Sequence, residues 1–141
     1  MTIPMEYRTA AKDFEQFLDD ALEASGLATR NQVYTMVQGV FQMFRSRLGV
    51  GDAIRFANAL PPLLRALFID DWHVEQPQRP FDDRAAMTRE AQALRRDHNF
   101  APDSAIRDVA IALRRNVDEP AFDRVLSTLP DGAEEFWRVQ V

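Results

Sequence analysis

The sequence repeats itself at an interval of 69 positions. The dipeptide Leu60-Pro61 returns as Leu129-Pro130. The same shift aligns further identities in one ungapped stretch, namely Val40 with Val109, Arg45 with Arg114, and Arg55 with Arg124. The apolar pattern repeats with these identities, and a repeat of this kind constrains architecture more strongly than any local pattern. The sequence therefore predicts two copies of one unit: repeat 1 over about 6–73, a linker over about 74–82, and repeat 2 over about 83–138.

Apolar residues within each repeat recur every three or four positions, which is the periodicity of a helix with one buried face. The predicted first helix, from about 6 to 24, carries such a stripe at Phe14, Phe17, Leu18, Ala21 and Leu22. Each copy offers about four helices. We therefore expect an all-α fold in a single domain over 1–141: a compact bundle of about seven or eight helices, formed by two pseudo-twofold-related repeats that bury each other's apolar stripes.

Residues typical of helix ends mark where these helices start and stop. Gly26 suits the left-handed conformation that ends a helix, and its repeat counterpart Asn99 also tolerates that conformation. Thr29 followed by Gln32 forms the pattern of a capping box, so a second helix should begin there and run to about 48. After the break at 49–51, Asp52 is expected to cap a short helix.

Each Leu-Pro dipeptide is expected to form a corner between two helices. Proline disfavours helical geometry in the residue before it, but it fits the first turn of the helix that follows. Leu60 and Leu129 are therefore predicted to anchor the two corners in the core.

Composition excludes several classes of function. With 0 Cys, the chain can form no disulfide or thiolate metal site, and a reducing, cytoplasmic location is expected. No segment of the sequence resembles a targeting signal or approaches the roughly 20 apolar residues of a membrane span, so we expect no membrane partner. The net charge of -5 argues against nucleic acid as a partner, because such binding depends on clustered cations.

Several motifs together resemble a known bacterial family. These are the run from Arg47 to Ala53, the stretch from Leu60 to Leu67 with its Leu-Pro corner, and Trp72. They resemble the family called domain of unknown function 2267, over nearly the whole chain. The resemblance implies an all-helical, internally duplicated domain with no established activity, and it therefore assigns no catalytic residue.

The most notable polar cluster of the sequence is the segment 70–75, which follows the predicted helix after the first Leu-Pro corner. In an extended chain Asp71, His73 and Glu75 would point to one side, and a histidine between carboxylates is typical of a divalent-metal or acid-base site. The alternative is a solvated loop in which Trp72 packs against the bundle. If the fold brought His98 to His73, a metal site would gain a second histidine; the alternative role of His98 is structural, at a helix end.

No catalytic pattern stands out in the sequence. The serines lack a Gly-x-Ser-x-Gly setting, the 5 glycines form no phosphate-binding loop, and adjacent carboxylates on a helix do not converge on one site. We therefore predict that the protein is not an enzyme and needs no cofactor.

The repeated arginines allow two interpretations. A pseudo-twofold arrangement would bring Arg45 with Arg114, and Arg55 with Arg124, into two symmetric pairs that could bind an anion or an acidic partner. The alternative is pairing within the chain, for example between Arg55 and Asp52.

The C-terminal segment is strongly apolar. If the last helix leaves them exposed, its large side chains would form a patch suited to a protein partner or a second copy; they are Phe136, Trp137, Val139 and Val141. The leading hypothesis is thus a non-enzymatic interaction or regulatory module. The alternative is a small-ligand or metal-binding helical domain with its pocket between the two repeats.

Overall fold

The computed structural model describes residues 1–94 and 100–139. These residues form nine α-helices and no strand, and the predicted all-α fold is confirmed. We number them in chain order: α1 Met5–Arg8, α2 Ala10–Ser25, α3 Arg30–Arg45, α4 Val50–Asn58, α5 Pro62–Ile69, α6 Arg84–Ala93, α7 Ala105–Arg115, α8 Glu119–Leu126 and α9 Ala133–Phe136. None of these helices is long and apolar enough to cross a membrane.

Two of the predicted helix ends are confirmed. Gly26 ends α2 in the left-handed conformation, with φ at 70°. At the start of α3, the Gln32 amide N–H donates to Thr29 Oγ1 at 3.2 Å, and the Thr29 amide N–H donates to Gln32 Oε1 at 3.3 Å. This is the reciprocal arrangement of a capping box, so a purely local signal placed this helix correctly. Asn99, the predicted stop in repeat 2, lies outside the described residues.

Other predicted boundaries were wrong by small amounts. The first helix is divided at Thr9, and α3 ends three residues before the expected position 48. Asp52 is not the cap of α4, because Gly49 occupies that place and the helix already begins at Val50. Asp52 instead lies in the first turn of α4, where its negative charge complements the positive end of the helix dipole.

Both Leu-Pro corners are anchored in the core as predicted. Leu60 is 2% exposed and Leu129 is 8% exposed. Each closes the preceding helix with a bond from its own amide N–H: Leu60 donates to the carbonyl of Ala57 at 3.0 Å, and Leu129 donates to the carbonyl of Leu126 at 3.1 Å. The acceptors are themselves 69 positions apart, so the two corners are built alike.

The helices of the two halves pack reciprocally. α2 packs chiefly against α7, and α6 packs chiefly against α3. The first long helix of each half therefore lies on the second long helix of the other half, while α3 and α7 also contact each other. Val40 and Val109, which the repeat places in register, are both fully buried on these central helices. This packing is what two facing copies would produce, although the duplication itself stays a prediction.

The C-terminal aromatic residues belong to the core. Trp137 is fully buried and stacks on Phe56 with ring centroids 5.6 Å apart. Phe136 is also buried, and its ring lies 4.8 Å from that of Phe44. The last helix is thereby tied to α3 and α4 of the first half.

This packing removes the basis of the predicted C-terminal patch. The patch required an exposed last helix, but rings of the first half cover both Phe136 and Trp137. Val139 is partly buried against the core, and Val141 lies outside the described residues. An interaction surface, if the protein has one, must therefore be sought elsewhere.

Candidate functional site

A cleft of about 750 Å³ opens beside the non-helical segment that joins the two halves. Its walls are the C-terminal end of α3 and the first residue of α4 (within 42–50), the segment 71–79, and residues Glu90 and Leu94 at the end of α6. The cleft is therefore built from both predicted repeats and the linker between them. Its size falls within the roughly 300–1,000 Å³ of typical ligand pockets.

Arg45 fixes the start of the segment that joins the two halves. The Arg45 Nη1 group donates to the carbonyl oxygens of Phe68 and Asp70, each at 3.0 Å. Its guanidinium also lies over the ring of Trp72, 5.4 Å from the centroid. Trp72 is partly buried against the core, as the loop interpretation predicted. A cation stacked on an aromatic face positions both groups.

The end of the joining segment is hydrogen-bonded to residues at the C-terminal end of α3. The Arg79 amide N–H donates to the carbonyl of Ser46 at 2.9 Å, and Gln78 Nε2 donates to the carbonyl of Arg47 at 3.0 Å. Arg47 Nε in turn donates to the carbonyl of Pro80 at 3.1 Å. The first two bonds use carbonyls directly after the last residue of α3, where the helix has no amide of its own to pair with them. The segment is thus fixed at both ends, and its middle borders the cleft.

A buried ion pair links this end of α3 to α6. Arg47 is 3% exposed, and its two terminal nitrogens donate to the two carboxylate oxygens of Glu90 at 2.9 and 2.8 Å. Arg79 also pairs with Glu90. The fork geometry of such a pair fixes both orientation and distance. The cleft wall formed by α6 is therefore held against α3 by charge as well as by packing.

Arg45 is the buried cation of the cleft. The residue is 7% exposed, and burial lowers the pKa of its guanidinium, while the carboxylates of Asp71 and Asp70 oppose that effect. Neither carboxylate approaches within the 4.0 Å of an ion pair in the described part of the chain. All its protein acceptors are backbone carbonyls.

The predicted metal cluster is only partly assembled. Asp71 Oδ1 and His73 Nε2 lie 3.6 Å apart at the cleft, but both side chains are mostly exposed. Glu75 is exposed and does not line the cleft. Among residues 1–94 and 100–139, no three acidic or histidine side chains come together as metal ligands. His98 lies outside those residues, so its predicted approach to His73 is not described.

Two of the repeated arginines pair with carboxylates of the same chain. Arg55 pairs with Asp52, as the intramolecular interpretation predicted. Arg114 Nη1 pairs with Glu119 at 3.2 Å and with Asp123 at 2.9 Å. Arg45 and Arg114 are therefore not gathered into one symmetric site. Each of these two arginines makes its hydrogen bonds within its own half of the molecule.

Sequence reasoning missed the residues that fix the cleft. Arg47 was noted only as part of the family-like run, and neither Arg79 nor Glu90 was singled out. The sequence does contain a signal: Arg47 lies two residues before the predicted helix break at 49–51, and Arg79 lies in the proline-containing linker. That signal gives no partner, because Glu90 lies 43 positions from Arg47.

Comparison with known proteins places the chain in a family without assigning it an activity. No curated protein matches it. Residues 14–136 match the family described as an uncharacterized conserved protein, domain of unknown function 2267. This match takes in every helix from α3 to α9, both Leu-Pro corners and the whole cleft. The chain therefore belongs to the DUF2267 family.

Proposed function

We propose that the protein is a non-enzymatic interaction module that binds a segment of a partner protein in this cleft. The observation that carries the proposal is the exposure of apolar side chains at a rigid concave surface. Val50 and Val74 line the cleft and are 46% and 52% exposed, and Trp72, which also lines it, is only partly buried against the core. Exposed apolar groups around a tryptophan and an arginine are typical of protein interfaces.

The rigidity of the walls supports binding by the preformed surface. The backbone of 70–80 is held at both ends by side chains and carbonyls of α3. A partner that enters the cleft would therefore find the apolar groups already in place. Preorganisation of this kind lowers the entropic cost of association.

The chemistry of the cleft supports a role without catalysis. Ser46 is the hydroxyl of the cleft wall, and its Oγ donates to the carbonyl of Met43 at 2.6 Å while it accepts from Arg47 Nη1 at 3.0 Å. Its proton is thus engaged by the backbone, and its other neighbour is a cation. An activated nucleophile needs a base at that place. His73 has the exposed Asp71 as its acidic neighbour and is itself largely in solvent.

We further propose a cytoplasmic location, which the complete absence of cysteine supports. A partner protein in the same compartment is a better fit than nucleic acid, because the chain carries a net charge of -5.

Site-specific crosslinking in cells of the source organism tests the proposal. A photoreactive p-benzoylphenylalanine placed at position 74, on the cleft, is compared with the same group at position 127, an exposed site directly after α8. We expect one discrete product of higher mass from position 74 only, and its loss when Trp72→Ala is added. Equal products from both positions, a product insensitive to Trp72→Ala, or crosslinking only to a second copy would contradict the proposal.

The cleft volume favours a second candidate function, a small-ligand domain. A volume of about 750 Å³ between residues of both halves is large enough for a metabolite. Native mass spectrometry of the protein purified under gentle conditions tests this. A bound small molecule present in the wild type and absent from Trp72→Ala would replace the protein partner with a ligand, whereas identical spectra would contradict this second candidate.

A further inference from the structure

Arg45, the buried cation of the cleft, has hydrogen-bond donors without an acceptor in the described part of the chain. Arg45 is more than nine-tenths buried, yet only its Nη1 group has acceptors in the described chain. Within residues 1–94 and 100–139 its Nε and Nη2 groups donate to no atom, and neither is fully shielded from solvent. Because Arg45 lines the cleft, these donors are reachable from it. A buried charge without a direct counter-charge is costly, so an anion that enters here gains a strong partner.

The second half of the molecule provides an internal comparison. Arg114, the counterpart of Arg45, also donates to a carbonyl 23 residues further along the chain: Nε to Trp137 at 2.9 Å, against Arg45 Nη1 to Phe68 at 3.0 Å. Arg114 differs in being neutralised by two carboxylates. In the part of the chain that the structure describes, the repeated arginine thus forms two ion pairs in the second half and has no carboxylate at ion-pair distance in the first.

The positions that neutralise Arg114 are apolar in the first half. Glu119 and Asp123 correspond, 69 positions earlier, to Val50 and Ile54. Both of these apolar side chains are exposed, at 46% and 52%, and Val50 lines the cleft with Arg45. A water-exposed apolar pair where the other copy has carboxylates is unfavourable for the isolated chain. It is suited to a ligand that supplies both the missing charge and an apolar surface.

The corresponding hollows also differ in size. The hollow beside Arg114 has a volume of about 330 Å³ and is lined by Glu119 and Asp123. The cleft beside Arg45 has about 750 Å³. The two carboxylates that border the hollow in the second half thus correspond to apolar side chains in the first, where the cleft is larger.

The charged side chains that line the cleft balance in number but differ in how they are paired. Arg45 and Arg79 line the cleft together with Glu90 and Asp71, and Glu90 is already paired with Arg79 and with the buried Arg47. The remaining cleft carboxylate, that of Asp71, is largely in solvent. Arg45 is therefore the lining cation that has no carboxylate at ion-pair distance within the described part of the chain. An acidic segment would therefore find its direct counter-charge in Arg45.

From these observations we propose that the cleft recognises a carboxylate of the partner segment, with Arg45 as its anchor and Val50 as the contact for an adjacent apolar side chain. The ligand is a peptide stretch in which an acidic residue neighbours a bulky apolar one. Its carboxylate does for Arg45 what Glu119 and Asp123 do for Arg114. This inference rests on the proposed function, since it names the chemistry of the partner at the same cleft.

Synthetic peptide pools test the proposal directly. Three pools of acetylated hexapeptides have random outer positions around a fixed centre: Glu-Leu with an amidated end, Gln-Leu with an amidated end, and Gln-Leu with a free carboxyl end. A fourth arm uses inorganic phosphate. The readout is the indole N–H resonance of Trp72 in the ¹⁵N-labelled full chain, with the indole of the buried Trp137 as an internal control.

We expect the Glu-Leu pool to shift the Trp72 signal and to leave Trp137 unchanged, with an apparent Kd at least about tenfold below that of the amidated Gln-Leu pool. Binding by the Gln-Leu pool with a free end would assign the carboxylate to a chain terminus instead of a side chain. Equal binding by the Glu-Leu and amidated Gln-Leu pools would overturn the inference while leaving peptide binding intact. A larger shift with phosphate than with any pool would also overturn it.

A transplanted carboxylate provides the second measurement. Val50→Glu places an acid where the second half has Glu119, whereas Val50→Gln has nearly the same size and no charge. Both change an exposed position and leave Arg45 in place. We expect Val50→Glu to remove the preference for the Glu-Leu pool and Val50→Gln to keep it. An unchanged preference in Val50→Glu would overturn the assignment of Arg45. Loss of all pool binding in both variants, with cleft-specific crosslinking retained in the wild type, would reject this inference alone.

Discussion

Arg45 and Arg114, 69 positions apart, each donate to the carbonyl of the residue 23 positions further on, Phe68 and Trp137 respectively. These carbonyls lie at the C-terminal ends of the last helices of the two halves, where free carbonyls and the helix dipole favour a cation. The same long side chain therefore closes the same helix in both halves. The relationship links the repeat seen in the sequence to one specific interaction in the structure.

The bond made by Arg114 should contribute measurably to stability. Arg114→Met keeps most of the apolar stem and removes the donors to Trp137, Glu119 and Asp123. We expect a loss of about 2 kcal/mol in the free energy of unfolding, since hydrogen bonds to charged groups contribute about 1.5–3 kcal/mol. Urea unfolding measures it. Arg124→Met, at an exposed position, is the control and should change stability by less than about 0.5 kcal/mol. Equal losses in the two variants would refute this role of Arg114.

Gly132 is required by its backbone conformation and by a close neighbour. Its φ is 105°, and a Cβ atom there would lie 2.7 Å from Cγ of Phe81. Gly132→Ala should therefore cost about 3 kcal/mol, from the disfavoured conformation together with the overlap. Gly51→Ala is the matched control, because a Cβ at that position of α4 meets nothing within 4 Å. It should raise the stability by about 0.5 kcal/mol, since alanine favours a helix. Thermal unfolding of both variants checks the opposite signs.

The features that the sequence predicted correctly are set by near neighbours along the chain. The capping box depends on Thr29 and Gln32, three positions apart, and the stop at Gly26 depends on one residue. The positions of the two corners follow from the prolines, which disfavour helical geometry in the residue before them, and the leucines at both corners are buried as predicted. The helical periodicity of the apolar stripes was enough for the fold class, because each stripe needs another stripe to cover it.

The features that the sequence did not predict depend on distant residues. An apolar C-terminus is exposed or buried according to what the rest of the fold offers, and here Phe44 and Phe56 cover the last two aromatic side chains. The cluster at 71–75 did mark the neighbourhood of the cleft. Its main groups, however, are Trp72 and an arginine on α3, and the contact between Arg45 and Trp72 was not visible as a local pattern.

The pair of Arg47 with Glu90 should show strong energetic coupling. Glu90→Met leaves the buried Arg47 with no carboxylate, whereas Arg47→Met leaves Glu90 with Arg79 and with solvent. We expect Glu90→Met to be the more destabilising single change, by about 3 kcal/mol, and Arg47→Met to cost about 2 kcal/mol. The double variant should lose at least about 1 kcal/mol less than the sum of the two. Additive losses in urea unfolding would show that the two side chains do not act as a pair.

Asp108 makes the stability depend on pH in a direction opposite to that of most carboxylates. The residue is 1% exposed on α7, and burial raises the pKa of its carboxyl group, while the hydroxyl of Ser104, donating at 2.7 Å, and the charge of Arg107 partly offset that rise. A carboxyl group whose pKa is raised by folding favours the folded state below its unfolded pKa. That contribution is lost as the pH rises through the folded pKa.

Asp108→Asn removes this titration and keeps an oxygen that can accept from Ser104. At neutral pH the variant should therefore be at least as stable as the wild type, and its advantage should shrink as the solution is acidified to about pH 4. The difference between the two unfolding free energies isolates Asp108, because all other carboxylates titrate in both proteins. Ser104→Ala should strengthen the pH dependence instead of removing it. Without the Ser104 donor, the pKa of the Asp108 carboxyl group rises further. This variant should therefore lose more stability between acidic and neutral pH than the wild type does. A difference between wild type and Asp108→Asn that stays constant with pH would mean that burial does not perturb this carboxyl group.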